Sequence, residues 1–477
     1  MGSNLEIAKQ MVTKCGGLPR IIAAVGQAYF SFMKDINGDR VEASTSFLKD
    51  INDDLVVKLQ TDQQFHDLRV HLSWMHSYFD ACDDSVKPYI FYLSVFPINR
   101  QIRRGRLLRR WITEGYSRDI IGRTAKKNAE LIFSKLIELG IIHQIESNGM
   151  WQINGFFREY IISQPMEDNL VFALEGNCKV NSQRTGQHLT IMEKWDGDKI
   201  LFDSLDFSRL RSLTVFGKWE YFFVSDSMKR IRVLDLENTL EVKNDGLEQV
   251  LRKLVSLKFI SLRGCTDITY LPDSVGELRQ LQTLNVRQTS IVALPSAILK
   301  LLKIQYIRAG TIVSSDEHQR RPQLARADTT GVEVPVGIWN MSSLRTLGVV
   351  NANAKGGKAI LKKLKNLTQL IKLSVSGMNH EKWENLWDSL SGHGHLESLF
   401  VRFDEDFFES FKPPKTLRSL KLHGAYTRTA SLYQGGAWQS QDFDVVYTAN
   451  KKYLVPKQIK QACIPKVQLR LIASSSN

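Results

Sequence analysis

Between Leu210 and Leu422 apolar residues recur as L-x-x-L-x-L, with Ile, Val and once Ala allowed at the apolar places. Nine such rungs begin at Leu210, Ile231, Leu257, Leu281, Ile304, Leu344, Leu370, Leu396 and Leu417. The steps between them are 21, 26, 24, 23, 40, 26, 26 and 21 residues. Within a rung, as in Leu257-Lys258-Phe259-Ile260-Ser261-Leu262, apolar places alternate with outward ones, which predicts a short strand with one buried face. A second register lies between rungs. Leu271-Pro272, Leu294-Pro295 and Val334-Pro335 each open a segment with apolar residues at +4, +7 and +10.

A period of 20 to 29 residues with this pattern is the signature of leucine-rich repeats. One unit cannot bury its own apolar face, so units stack into a curved solenoid with a parallel strand ladder on its concave side. The 40-residue step reads as one repeat plus an insertion near 311–331. That insertion is polar and aperiodic, which predicts a mobile loop.

Upstream of residue 166 the spacing is helical. Leu5–Val12 and Arg20–Phe32 predict two helices, separated by Cys15-Gly16-Gly17-Leu18-Pro19. Glycine permits that turn and proline starts the next helix. Residues 36–70 are polar and weakly periodic. Ser85–Phe96, a segment from Ile102 to Ile112, and Thr124–Leu139 predict three more helices. Ile141–Ile145 and Met150–Ile153 flank Glu146-Ser147-Asn148-Gly149, a hairpin turn, and Phe156–Ile162 predicts a closing helix. Three helices followed by a β-hairpin make a winged-helix arrangement. The fold class is therefore α+β and multidomain. The expected boundaries are a helical segment at 1–70, a winged-helix domain at 71–165, a polar connector at 166–204, repeats at 205–425 and a divergent tail at 426–477. The connector holds one strand-like stretch, His188–Met192. The tail, rich in Gln, Ser and Lys, reads either as the polar cap a solenoid needs or as unrelated sequence.

Composition changes this picture little. A hydrophobic content of 43% supplies real cores, and 477 residues suggest about three domains. Five cysteines lie far apart with no C-x-x-C, against a disulfide framework or a zinc site. No apolar run approaches the roughly 20 residues that span a membrane, and the N-terminus reads as lacking a signal peptide. A net charge of +14 favours acidic partners.

Tyr89–Pro97 and Arg106–Tyr116, the latter Arg-Leu-Leu-Arg-Arg-Trp-Ile-Thr-Glu-Gly-Tyr, resemble the winged-helix domain of plant NB-ARC leucine-rich-repeat disease-resistance proteins. Gly17-Leu18-Pro19 resembles the G-L-P motif of the helical domain that precedes it. His188–Ile191, Arg211–Trp219 and Arg232–Leu236 resemble repeats of the cereal coiled-coil subclass. The likeness covers roughly residues 1–425. It implies a cytoplasmic immune receptor that recognises proteins and is regulated by contact between solenoid and winged helix. Implied partners are a pathogen effector, a host protein under guard or another receptor of the class. The resemblance also implies ADP or ATP in intact members, near Gly17, Leu18, Pro19 and a winged-helix histidine. Here that histidine's place is taken by Asn154, followed by Gly155. No G-x-x-x-x-G-K-[ST] occurs, and Gly356-Gly357-Lys358-Ala359 lacks the hydroxyl. The chain thus reads as a partial or degenerate member lacking the coiled coil and the phosphate-binding domain, with no cofactor of its own. A non-signalling decoy and a winged-helix nucleic-acid-binding protein are the alternatives.

No catalytic constellation is evident. His71, His76 and His143 pair by spacing with no nucleophile, so enzymatic activity and a metal site are not expected. The basic run Arg100–Arg110 falls on the second winged helix. The third, which would enter DNA, carries Lys126, Lys127 and Lys135 against Glu130 and Glu138, and nucleic acid is not expected. On the rungs the places turned to solvent, on or beside the strand ladder, hold Arg211, Arg232, Lys258, Arg308, Arg345, Lys372, Arg418 and Lys421 against Asp235 and Glu397. Phe259, Tyr306 and Phe400 read as exposed aromatics of the kind that anchor interfaces.

Overall fold

The computed structural model describes residues 2–36, 40–69, 83–145, 149–164, 170–175, 186–310, 331–403, 416–423, 446–450 and 470–474. The expectations for the insertion, for most of the tail, for the hairpin turn at 146–148, and for His71 and His76 fall outside them. The chain forms two compact units, Met1–Thr214 and Val215–Asn477.

The first unit opens with α1 (Gly2–Lys14), α2 (Pro19–Lys34), α3 (Arg40–Asp53) and α4 (Leu55–Thr61). Gly16 and Gly17 both adopt left-handed φ, and Pro19 opens α2, as the turn chemistry requires. The winged-helix elements follow as expected, within a few residues. They are α5 (Lys87–Tyr92), β1 (Ile102–Arg103), α6 (Arg104–Glu114), α7 (Ala125–Glu138), the strands β2 (Ile142–Ile145) and β3 (Met150–Ile153), and α8 (Gly155–Ser163). β3 pairs antiparallel with both β2 and β1. Trp111, Phe133, Phe96, Phe156 and Leu136 fill the core between helices and sheet. α6 stops at Gly115, whose φ of 83° completes a left-handed cap.

The segment read as a connector carries two strands of a parallel ladder. β4 (Val171–Leu174) pairs with β5 (His188–Ile191). β5 neighbours β6 (Ser212–Val215), at whose end the boundary between the units falls.

In the second unit eight strands follow in sequence order as parallel neighbours: β7 (Val233–Asp235), β8 (Phe259–Ser261), β9 (Thr283–Val286), β10 (Tyr306–Ala309), β11 (Thr346–Asn351), β12 (Lys372–Met378), β13 (Ser398–Phe403) and β14 (Ser419–His423). Each begins two residues into its rung. Leu257, Leu281, Ile304, Leu344, Leu370 and Leu396 are fully buried, as are the inward residues of the strands themselves. Each such side chain contributes roughly 1.5–3 kcal/mol. The Leu-Pro and Val-Pro register closes each arch with a 3₁₀ turn, at Asp273–Glu277, Ser296–Lys300 and Ile338–Asn340.

Candidate functional site

Two sites emerge in the first unit and one in the second. The nucleotide-pocket residues come first. α1–α2 and α8 are distant in sequence, yet the Asn154 side-chain amide donates to the Gly16 carbonyl at 3.0 Å. Its Oδ1 accepts from the Phe156 and Phe157 amides, capping α8. A Cβ at Gly155 would lie 2.0 Å from the Thr13 carbonyl, so glycine is required for α1 to approach α8. Lys14 completes the joint with an ion pair to Glu159 at 3.1 Å. The structure therefore ties Asn154 to Gly16, in the turn that precedes Gly17, Leu18 and Pro19 in sequence, and both the oxygen and the nitrogen of its amide are used within the protein. With its amide committed in this way, Asn154 does not fit a nucleotide phosphate as an imidazole would.

The second site was not anticipated. Arg110 and Glu114, one helical turn apart on α6, are both buried, together with His188 and Thr190 on β5 and Ser212 and Thr214 on β6. Arg110 donates to the Tyr92 hydroxyl and to Thr214 Oγ1, each at 2.7 Å, and its guanidinium lies 5.1 Å from the Phe96 ring centre. The Glu114 carboxylate lies 3.3 Å from Arg211 Nε and 3.7 Å from His188 Nδ1. Arg211 also donates to the Glu114 backbone carbonyl. His188 is bracketed by Ser212 Oγ at 2.8 Å and the Tyr116 hydroxyl at 2.6 Å. The outward face of β5 and β6 is thus closed by polar side chains of the winged helix. Sequence position favours exposure for charged residues. The available signal was His188-Leu189-Thr190-Ile191, whose alternate polar places had to face something.

Burial holds the His188 pKa well below its ordinary 6.5, reinforced by the Arg211 and Arg110 guanidiniums. The nearby Glu114 carboxylate would raise it, but that carboxylate is engaged by Arg211. The imidazole stays neutral with one donor and one acceptor, while the unfolded chain protonates near pH 6.5. Acid therefore favours unfolding. Stability from this group is complete above that pH and falls by up to about 1.4 kcal/mol per pH unit below it. We expect the unfolding midpoint of the first unit to drop between pH 7.5 and 5.5, and His188→Asn to flatten the slope by one proton. An unchanged slope in the variant would place the titration elsewhere.

The third site is the outward face of the repeats. The strand register divides the expected partner-binding residues. Phe259, Tyr306, Arg308, Lys372, Phe400 and Lys421 lie on the strands at outward places. Arg211, Arg232, Lys258, Arg345 and Arg418 stand one residue before them and flank the ladder. Two expectations are corrected. Phe259 is buried at 1% exposure, on a strand whose register neighbours at that place are Val233 and Thr283. Arg211 is bound to Glu114. The outward places of β7, β8 and β9 are all buried. From β10 onward they open: Tyr306, Arg308, Phe400 and Arg402 are half-exposed, and Lys372 and Lys421 exposed. Phe400 and Lys421 are register neighbours. His143 is exposed on β2. Among the described residues no cluster of His, Cys, Asp and Glu could hold a metal, and no helix is long and apolar enough to cross a membrane.

Residues 209–434 match the family model described as a leucine-rich repeat region. Homologues of the chain include the disease resistance protein Pik-2 of Oryza sativa subsp. japonica. The two are 27% identical over 372 residues, 71% of this chain and 36% of that one. The disease resistance protein RGA4 of the same organism is 27% identical over 390 residues, covering 77% and 36%. The chain therefore spans about a third of the length of these relatives. A leucine-rich repeat protein of Leptospira interrogans, LIC12759, is similar in structure with a TM-score of 0.37 and 15% identity, over 64% of this chain and 83% of that one.

Proposed function

We propose that this chain, a homologue of rice disease-resistance proteins, is the recognition and regulatory part of a cytoplasmic plant immune receptor. Its repeats bind a protein partner on the outward face of β10–β14. The observation that carries this is the composition of that face. Arg308, Lys372, Arg402 and Lys421 stand among Tyr306, Phe400 and small polar residues, with no acidic residue at an outward place on these strands. Cations around two half-exposed aromatics suit an acidic protein surface, with the rings as anchors and the charges steering encounter. A pathogen effector, a guarded host protein or a second receptor of the class is the fitting partner. Catalysis has no part in this function.

Regulation, in this proposal, runs through the polar cluster of α6 with β5 and β6, which ties the winged helix to the first strands of the ladder. The third helix supports a protein rather than DNA as partner, because Lys126 is offset by Glu130 at 4.0 Å.

The test is immunoprecipitation from leaf tissue expressing the chain or a variant with Arg308, Lys372, Arg402 and Lys421 all changed to Glu. Proteins held by this face should fall at least about tenfold in the variant. Equal recovery, with the variant folded, would remove the face from recognition.

A further inference from the structure

We propose that the Ile120–Ile121 tip of the winged-helix domain is an interfacial anchor for an anionic lipid surface. The tip is a tight turn in which Ile120 and Arg123 exchange backbone hydrogen bonds of 3.0 and 2.9 Å. Gly122 takes a φ of 77° to close it. Ile121 is fully exposed and Ile120 57% exposed. Single exposed aliphatic side chains need no explanation. Two adjacent ones on a braced turn differ. Asp119 Oδ1 accepts from the Ala125 amide at 2.7 Å, Asn128 donates to the Arg118 carbonyl at 2.9 Å, and Arg118 Nε donates to the Gly115 carbonyl at 2.9 Å. These bonds fix the turn while leaving Ile121 nothing to pack on and Ile120 more than half exposed.

The surroundings select the partner. Arg118, Arg123 and Lys127 are exposed beside the tip, with Lys126 half-buried. The local carboxylates are engaged, Asp119 by the Ala125 amide and Glu130 by Lys126. A convex tip of two side chains is far smaller than the roughly 800 Å² that each partner gives to a stable protein interface. It matches the headgroup region of a bilayer, where small apolar groups insert and neighbouring Lys and Arg meet anionic lipid. Either contribution alone is weak, so binding requires both.

The test is cosedimentation of the full chain with phosphatidylcholine vesicles, with and without phosphatidylserine, at low salt. Binding is expected only with phosphatidylserine. Ile121→Asp, and separately Arg118→Glu with Arg123→Glu, should each lower the partition coefficient by at least about tenfold. Ile200→Asp is the control. Ile200 is 85% exposed but sits among Asp196, Asp198 and Asp203, and its change should have no effect. All four positions are solvent-facing, and circular dichroism verifies that the variants fold. Binding that ignores Ile121, or that falls equally with Ile200→Asp, overturns the proposal. So does a tip-dependent complex with a short DNA duplex but not with vesicles, which would make the isoleucines a wedge for base steps.

Discussion

Replacing Glu114 with Ala should destabilise the first unit by about 3–5 kcal/mol, the cost of removing one partner from a buried ion pair. Glu114 is 1% exposed and Arg110 fully buried. The Arg211 side chain is 23% exposed. The carboxylate pairs with the Arg211 guanidinium and lies beside His188, so its loss leaves positive charge in a medium that solvates it poorly. Changing Glu114 and Arg211 together to Met should recover most of the loss, because two apolar groups of similar volume no longer need each other. Denaturation followed by hydrogen exchange of the β5 and β6 amides reads the effect in the right unit. A loss below about 1 kcal/mol would mean that the cluster is as wet as a surface pair, with Arg211 available to partners after all.

Neither ADP nor ATP should bind this chain more tightly than about millimolar. Phosphate recognition in P-loop proteins uses backbone amides of a glycine-rich turn, a lysine and a hydroxyl, and the sequence has no such motif. Pro19 offers one apolar contact. Asn154 spends its oxygen on the α8 amides and its nitrogen on Gly16. What remains contributes about 1–3 kcal/mol, against an association cost of at least about 4 kcal/mol. Calorimetry with both nucleotides is decisive, and a micromolar constant would show that the pocket lies elsewhere. Asn154→His should not create binding. It should instead cost about 1 kcal/mol by removing the cap.

The repeats were legible because nearest-neighbour stacking writes itself into sequence. Every inward residue obeys one period, and all nine rungs carry a strand. The winged helix was legible from its amphipathic helices, its proline and glycine stops and its paired apolar strands. Three things were hidden, each for a physical reason. β4 is only four residues long, and the 20-odd-residue period that marks the later rungs does not mark it. The outward places run from the third position of a rung, and sequence alone does not separate Arg211, Arg232 and Lys258, which flank the ladder, from the residues that lie on it. The buried charges of α6 follow the ordinary look of a solvated helix, since nothing in sequence shows that Arg106 is buried over the Phe96 ring, or that Arg110 and Glu114 meet a hydroxyl and an opposite charge. A polar residue's burial depends on a partner far along the chain, and local pattern carries no record of it.

The placement of β4, β5 and β6 in the first unit bears on how such proteins are recombined. A chimera that exchanges repeats at the compositional border near residue 204 would separate β6 from the helix whose charges it answers. Arg110 would face a foreign residue in place of Thr214, and Glu114 a foreign residue in place of Arg211. A cut after Thr214 carries the whole cluster to one side. Domain swaps between relatives of this chain should therefore express and fold when joined at 214/215 and fail when joined ten residues earlier.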